Sequence, residues 1–325
     1  MKLQARRVSW PLAGTFAISR GVKTQSDVVQ VSLSDGTSTG HAECTPYPRY
    51  GETVDSVIGQ LEAAAAGLGE HTNVHRIQKL LPAGAARNAL DCAWWDLQAK
   101  REGTSVVALF GLAPLVPVVS AYTLSLDSPE AMGKAAAVHA HVPLMKLKLA
   151  GDGDLERVAA VRENAPNAQL IVDANEGWSA DQVEPFSAAL AKLGVVMVEQ
   201  PLPAADDALL SELDHPVPLC ADESCHTRKG LGQLVGRYEF INIKLDKTGG
   251  LTEALALRDA ARRHGFRIMV GCMLASSLAM APAVLVAQGA EIVDLDGPLW
   301  LAKDHQPPLA FSGTEIAPPV FALWG

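Results

Sequence analysis

The sequence predicts an α/β protein, a (β/α) barrel preceded by a smaller α+β domain. Two observations carry this. Short apolar runs recur from residue 143 to 295, each followed by a segment of helix length, and most end on or beside a charged residue. Runs apolar on both faces are what parallel strands covered by helices look like. In such a barrel the C-terminal strand ends open on one mouth, where active sites sit. With 325 residues the chain has room for a barrel and an appended domain.

Residues 1 to about 50 read as antiparallel strands: Val29–Leu33 alternates, and Ser34-Asp35-Gly36-Thr37 is a turn signal. From Val54 to about Lys100 the pattern is helical. Ala85, Ala86, Ala89, Leu90, Ala93, Trp94 and Leu97 recur at three- and four-residue spacing and form one apolar stripe. Gly103, Gly111, Pro114 and Pro117 mark the passage into the barrel. The barrel runs are 143–149, 170–172, 195–198, 217–221, 241–245, 268–271 and 292–295. Pro307, Pro308, Pro318 and Pro319 then mark a tail of short extended pieces. The expected division is a capping domain over 1–115, a barrel over 116–301, and a tail over 302–325 returning to the first domain.

A net charge of −9 argues against nucleic-acid and anionic-membrane partners, which favour basic patches. The uncharged stretch 268–290 is long enough to raise the question of a membrane span. It holds Gly271, Ser276, Ser277, Pro282, Gln288 and Gly289 and falls inside the barrel repeat, so strand, loop and helix is the expected reading. Five cysteines with no CxxC motif, and no basic segment leading into an apolar one at the start, point to a reducing cytoplasm.

The charged strand ends carry the chemistry. Lys146 and Lys148, Asp173, Glu199, Asp222, Lys244, Cys272, and then Asp294 with Asp296 follow one another at intervals of 22 to 28 residues, counted from Lys148 to Asp294. Singly, a buried acid is more often a helix cap or an ion-pair partner than a ligand. Three in phase, each beside a turn signal, read as a set of oxygen donors. Such a set suits magnesium, and no histidine stands at a matching position to suggest zinc or iron. Lys146 and Lys148, one residue apart on a strand, point to the same face. Two adjacent ammonium groups disfavour each other, so a lysine pKa lowered toward working pH is expected. Lys244 comes from the far side of the barrel. Metal plus opposed lysines suits removal and return of a proton alpha to a carboxylate.

These residues lie in KLK (146–148), DAN (173–175), EQPLP (199–203), ADESCHT (221–227), NIKLDKTGGLTEA (242–254), GCM (271–273) and DLDGPLWL (294–301). With ECTPYPRYGE (43–52) and PAGAARNALDCAWWDL (82–97), they resemble the enolase superfamily, and more closely its dipeptide epimerase branch, over nearly the whole chain. The resemblance implies a modified (β/α)7β TIM-like barrel under an α+β capping domain. It implies Mg²⁺ on Asp173, Glu199 and Asp222, with Lys148 and Lys244 as the acid/base pair and Lys146 at the substrate carboxylate. It also implies Asp294 and Asp296 at the substrate's α-ammonium group, and Thr123 and Cys272 lining the dipeptide site. Related enzymes place an arginine near Lys23 to hold a glutamate side chain; this chain has lysine there, with Arg20 close by, in an expected capping loop around 17–24. A lysine offers a point charge without the bidentate fork.

The implied activity is epimerisation of L-Ala-L-Glu and L-Ala-D-Glu in murein peptide metabolism, with a small dipeptide as partner and room for a homo-oligomer. A lyase or cycloisomerase sharing the lysine pair, a dipeptide epimerase of other specificity, and a non-catalytic binder on the same scaffold stay open. Lys247 reads as structural, and His41, His139, His141 and His226 as satisfied or solvated.

Overall fold

A computed structural model describes residues 1–69 and 71–325. Alternating sequence at the start forms a long hairpin of β1 (Lys2–Ile18) and β2 (Gly21–Ser34), extended by β3 (Thr39–Cys44) into a three-stranded antiparallel sheet. The expected capping loop is thus not a loop: Phe16, Ala17 and Ile18 pair with Lys23, Val22 and Gly21, so the tip is a hairpin held by main-chain bonds. Three helices follow: α1 (Val54–Ala65), α2 (Val74–Leu80) and α3 (Ala85–Glu102). Thr53 and Ser56 form a capping box on α1. On α3 the Glu52 carboxylate accepts the Ala85 N–H at 2.8 Å, and Gly103 closes the helix in the left-handed region.

The apolar stripe of α3 covers the sheet, and its other side docks on the barrel. A short helix α4 (Val106–Leu109) and strand β4 (Val118–Val119) lead to eight parallel strands. These are β5 (Tyr122–Leu124), β6 (Leu144–Lys148), β7 (Gln169–Asp173), β8 (Val195–Glu199), β9 (Leu219–Ala221), β10 (Phe240–Ile243), β11 (Arg267–Gly271) and β12 (Ile292–Asp294). The Ala121 N–H donates to the Val293 carbonyl at 2.7 Å and brings the first and last strands together. All seven apolar runs are strands. The three-residue β5, between Pro117 and Pro129, has no such run.

The crossovers hold α5 (Pro129–Val138), α6 (Asp154–Asn164), α7 (Ala180–Lys192), α8 (Leu231–Leu234), α9 (Leu245–Thr248), α10 (Leu251–Arg263) and α11 (Ser277–Val286). The crossing from β8 to β9 has a 3₁₀ segment, Asp207–Glu212, in place of an α-helix. Pro201, Pro203, Pro216 and Pro218 flank it and restrict the helical conformation of their neighbours. The 268–290 stretch is β11, a loop and α11, and among the described residues no helix is long and apolar enough to cross a membrane. In the tail, β13 (Phe311–Ser312) pairs with β14 (Glu315–Ile316), which in turn pairs with β4, while Trp324 packs on α3 and donates to the Cys92 carbonyl.

Side chains alternate across each barrel strand. One inward layer is apolar (Ala121, Leu144, Ile171, Met197, Cys220, Phe240, Met269 and Ile292) and plugs the barrel. Two residues further along, the same strands present Thr123, Lys146, Asp173, Glu199, Asp222, Asn242, Gly271 and Asp294. Gly271 is required there, because a Cβ would stand 2.7 Å from Asn242 Oδ1.

On its barrel side α3 is polar. Arg87 donates to the Thr248 carbonyl at 2.7 Å, Asn88 to Asp246 at 2.8 Å, and Asp91 accepts from Thr252. At Gly250 a Cβ would lie 2.5 Å from Asp91 Cβ, so only glycine lets the two units approach this closely. Burial pushes Asp246 up to about 7 in the folded protein. A folded value above the ordinary carboxylate value means that the native state holds the extra proton, so this group's stabilisation falls as pH rises from roughly 4 to about 7. Asp246→Asn keeps an acceptor for the Thr45 and Asn88 N–H groups without the charge. Urea unfolding across pH should show the variant gaining on the parent by on the order of 1–3 kcal/mol toward pH 8. A parent that gains on the variant over that range would contradict this.

Candidate active site

The strand period brings the barrel's proposed site residues to one end, and Lys23 reaches the same cavity from the β1–β2 hairpin. A cavity of about 330 Å³ lies between that end and the hairpin tip, lined by Lys23, Thr123, Lys146, Lys148, Asp222, Lys244, Cys272, Asp294 and Asp296. Phe16, Ile18, Met273 and Leu274 supply an apolar wall. Asp173 and Glu199 are fully buried.

Each acid is held by a lysine. Lys148 Nζ lies 2.6 Å from Asp173, and Lys244 Nζ 2.6 Å from Asp222. Lys146 reaches furthest into the carboxylates, at 2.6 Å from Glu199, 2.7 Å from Asp294 and 3.2 Å from Asp173. At Lys146 and Lys244 the protein's own groups act against the expected lowering. Burial works to lower Lys146 and Lys244, but Asp294, Glu199 and Asp173 hold the first well above its ordinary value. Asp222 and Glu199 do the same for the second. Burial is likewise outweighed at Asp173, lowered by Lys148 and Lys146, and at Asp222, lowered by Lys244 and Lys247. Glu199 behaves oppositely: burial and the Asp173 charge push it up to about 7.

Among the described residues no three carboxylate, imidazole or thiol groups already converge as a ligand shell. The oxygens nevertheless suit a hard cation. Glu199 Oε2 lies within ion-pair distance of Lys146 but is buried without an aligned hydrogen bond, and buried Asn175 Oδ1 also has none. Unsatisfied buried oxygens on neighbouring strand ends are what a divalent ion would relieve. After Asp173 and Glu199 the backbone turns sharply: Asn175, Glu176 and Gln200 have φ of 47°, 65° and 37°. Such strain in residues other than glycine concentrates at functional sites.

Asp294 ends β12, while Asp296 lies beyond the strand at the start of the Gly297–Trp300 turn, so the two do not share one strand face. Asp296 accepts the Thr123 N–H at 2.7 Å. Burial and the Asp294 charge push it up to about 6, an imbalance that a cation between the two would correct. Thr123 Oγ1 sits 3.5 Å from Asp294, and burial raises the Cys272 thiol. Lys23 lines the cavity with its ammonium 5.9 Å from the Tyr47 ring centre; burial lowers its pKa, and Asp27 pulls the other way.

Several supports surround these acids, and of them the sequence pointed only to Lys247, as a structural residue. Lys247, fully buried, donates to both the carboxylate and the carbonyl of Asp222, and Asn242 donates to Glu199 at 2.7 Å. Gln200 accepts the Asp222 N–H at 2.9 Å. Asn242 could have been found from its position, two residues before Lys244 and on the same strand face.

Residues 1–111 match the mandelate racemase/muconate lactonizing enzyme N-terminal domain, and 131–319 match the enolase C-terminal domain-like family. An L-Ala-D/L-Glu epimerase of Escherichia coli is 48% identical over 95% of this chain and 97% of its own. An N-acetyl-D-glutamate racemase of a Pseudoalteromonas species is 44% identical over 92% and 95%. Among solved structures, an enolase family member from Agrobacterium tumefaciens with bound sodium and L-Ala-L-Glu superimposes with a TM-score of 0.97, at 49% identity over 99% of both chains. A dipeptide epimerase from Enterococcus faecalis, complexed with Mg and L-Leu-L-Tyr, gives 0.90 at 26% identity, over 98% of this chain and 96% of that one. A capped, eight-stranded parallel barrel, both domain matches and relatives of this closeness lead to one conclusion: the chain belongs to the enolase superfamily.

Proposed function

We propose that the protein epimerises the α-carbon of the C-terminal residue of a dipeptide, with L-Ala-L-Glu and L-Ala-D-Glu as its substrate pair. The observation that carries this is the placement of two amines: Lys148 on β6 and Lys244 just after β10 are four strands apart in a barrel of eight. They therefore face one cavity from opposite walls. In one direction Lys148 Nζ, as the free amine, takes the α-proton, and the C–H electron pair moves into the carboxylate. The carbon becomes planar, Lys244 Nζ returns a proton to the other face, and the stereocentre inverts. The two lysines exchange protonation states, so the next turnover runs in reverse or after proton exchange with water.

Asp294 and Asp296 bind the α-ammonium of the first residue, Thr123 and Cys272 line the peptide, and Lys146 faces the substrate carboxylate. Magnesium on Asp173, Glu199 and Asp222 would supply Lewis-acid stabilisation of the charge that develops there. Residues 1–115 with 302–325 serve as the capping domain and 116–301 as the catalytic domain. An alanyl-glutamate substrate places the enzyme in murein peptide turnover, in the cytoplasm.

Lys23 takes the glutamate side-chain carboxylate. A charge-assisted hydrogen bond contributes ~1.5–3 kcal/mol. Lys23→Ala should therefore raise KM for L-Ala-L-Glu by roughly 10- to 100-fold, with less effect on a dipeptide ending in a neutral residue. Equal effects on both would remove this role.

A second reading comes from the N-acetyl-D-glutamate racemase relative, whose named substrate carries no α-ammonium. The test uses both compounds in deuterated buffer with Mg²⁺. The parent should incorporate deuterium at the glutamyl α-carbon of L-Ala-L-Glu and form the D-Glu epimer. Asp296→Asn should cut kcat/KM for the dipeptide by roughly 10- to 100-fold and leave N-acetylglutamate exchange unaffected. Asp294 is unsuitable for this purpose because it also anchors Lys146. Faster exchange of N-acetylglutamate than of any dipeptide would give the second reading precedence; no exchange with either would reject both.

A further inference from the structure

We propose that Arg20 is a positioning residue that latches the hairpin tip onto the loops behind two of the site's carboxylates, so that seating the lid and setting the cation site are one event. The proposal rests on the site assignment above and assigns a residue that this reading leaves unused. From the tip of the β1–β2 hairpin, Arg20 donates to the Asn175 carbonyl at 2.8 Å and to Glu223 Oε1 at 2.7 Å. It also reaches the Tyr47 hydroxyl at 3.0 Å and Glu176 at 3.4 Å. Asn175 lies two residues after Asp173, and its N–H donates to the Asp173 carboxylate at 2.9 Å. Glu223 directly follows Asp222. One planar cation thus spans the loops after β7 and β9.

The latch is reinforced. Ser19 Oγ donates to the same Asn175 carbonyl, and Arg49 pairs with Glu176 through two contacts of 2.8 Å. The Glu223 side chain is 1% exposed, and its other carboxylate oxygen is buried with no hydrogen-bond partner. Swinging Arg20 away would leave a buried carboxylate beside Asp222 without its counter-charge, a costly state. Opening the hairpin therefore disturbs the loops carrying Asp173 and Asp222, and a cation that orders those loops favours the seated hairpin in return. Because Arg20 is consumed in this way, Lys23 is left to meet the substrate.

The test compares the parent with Arg20→Ala, Arg20→Lys and Glu223→Gln. Hydrogen exchange of the Mg²⁺-loaded protein should show Arg20→Ala losing protection by roughly tenfold or more in 16–23 and in 174–176, while β1 near Val8 is unchanged. Calorimetric titration with Mg²⁺ alone should show affinity weakened by roughly 3- to 10-fold. For the dipeptide, kcat should fall along with the rise in KM, in contrast to the KM effect of Lys23→Ala. Arg20→Lys should recover part of each effect, since it restores charge without the fork. Adding Glu223→Gln to Arg20→Ala should cost less than it costs in the parent. Unchanged Mg²⁺ affinity and unchanged exchange at 174–176 in Arg20→Ala would overturn the latch. A parent that seats its hairpin and binds Mg²⁺ but turns over no dipeptide would leave the latch standing and reject only the substrate assignment.

Discussion

Lys148→Ala is expected to stop net epimerisation of L-Ala-L-Glu, with kcat reduced by roughly 10³-fold or more, and Lys244→Ala to do the same. General acid/base groups contribute about 10²–10⁴-fold, and inversion needs one on each face. The informative part is what each variant keeps. With Lys148 gone, Lys244 still faces one side of the α-carbon, so the epimer that turns its proton to that side can exchange deuterium without inverting. Lys244→Ala should retain exchange with the opposite epimer. Proton NMR of both epimers in deuterated buffer reads the pattern directly. Two variants that exchange the same epimer would place both amines on one face and end the inversion mechanism. Loss of Lys148 also frees Asp173 of its 2.6 Å partner, so thermal stability is measured alongside activity.

Stripping divalent ions with a chelator is expected to lower α-proton exchange by roughly 10³-fold or more, restored by added Mg²⁺. The size follows from the chemistry: taking a proton alpha to a carboxylate leaves two negative charges on it, and Lys146 alone cannot offset both. Lys146 is also drawn into Glu199 and Asp294, which keeps its charge among the carboxylates. Asp173→Asn should mimic chelation and resist rescue at ordinary Mg²⁺ concentrations, because it removes an anionic oxygen and leaves Lys148 and Lys146 without a shared partner. Full activity after exhaustive chelation would show that the carboxylates serve only to hold the lysines.

Most of the barrel was legible because its strands are buried on both faces and must be apolar, which leaves charged residues conspicuous at their ends. The runs at 170–172 and 195–198 identified β7 and β8 together with Asp173 and Glu199. Strand β5 escaped notice because three residues between prolines make no run. The helical crossing expected before β9 gave way to a 3₁₀ segment because prolines crowd it. On α3 the apolar stripe was plain, while nothing local marked out Arg87, Asn88 and Asp91. They bind the barrel through partners about 160 residues away, a distance no local period can report.

By itself the sequence determined the chemical inventory and its phase: which strands carry acids, which carry amines, and that alternation turns them inward together. Local period is sufficient for this, since side-chain direction repeats every two residues along a strand. The electrostatic state of those groups was decided only in three dimensions. Lys146 holds its charge because Glu199, Asp294 and Asp173 converge on it from three strands. Asp296 is pushed up because Asp294 shares its buried corner, and Arg20 is a latch because the hairpin tip lands between Asn175 and Glu223. Charge and desolvation depend on what lies within a few ångströms, and in a barrel those neighbours come from everywhere along the chain.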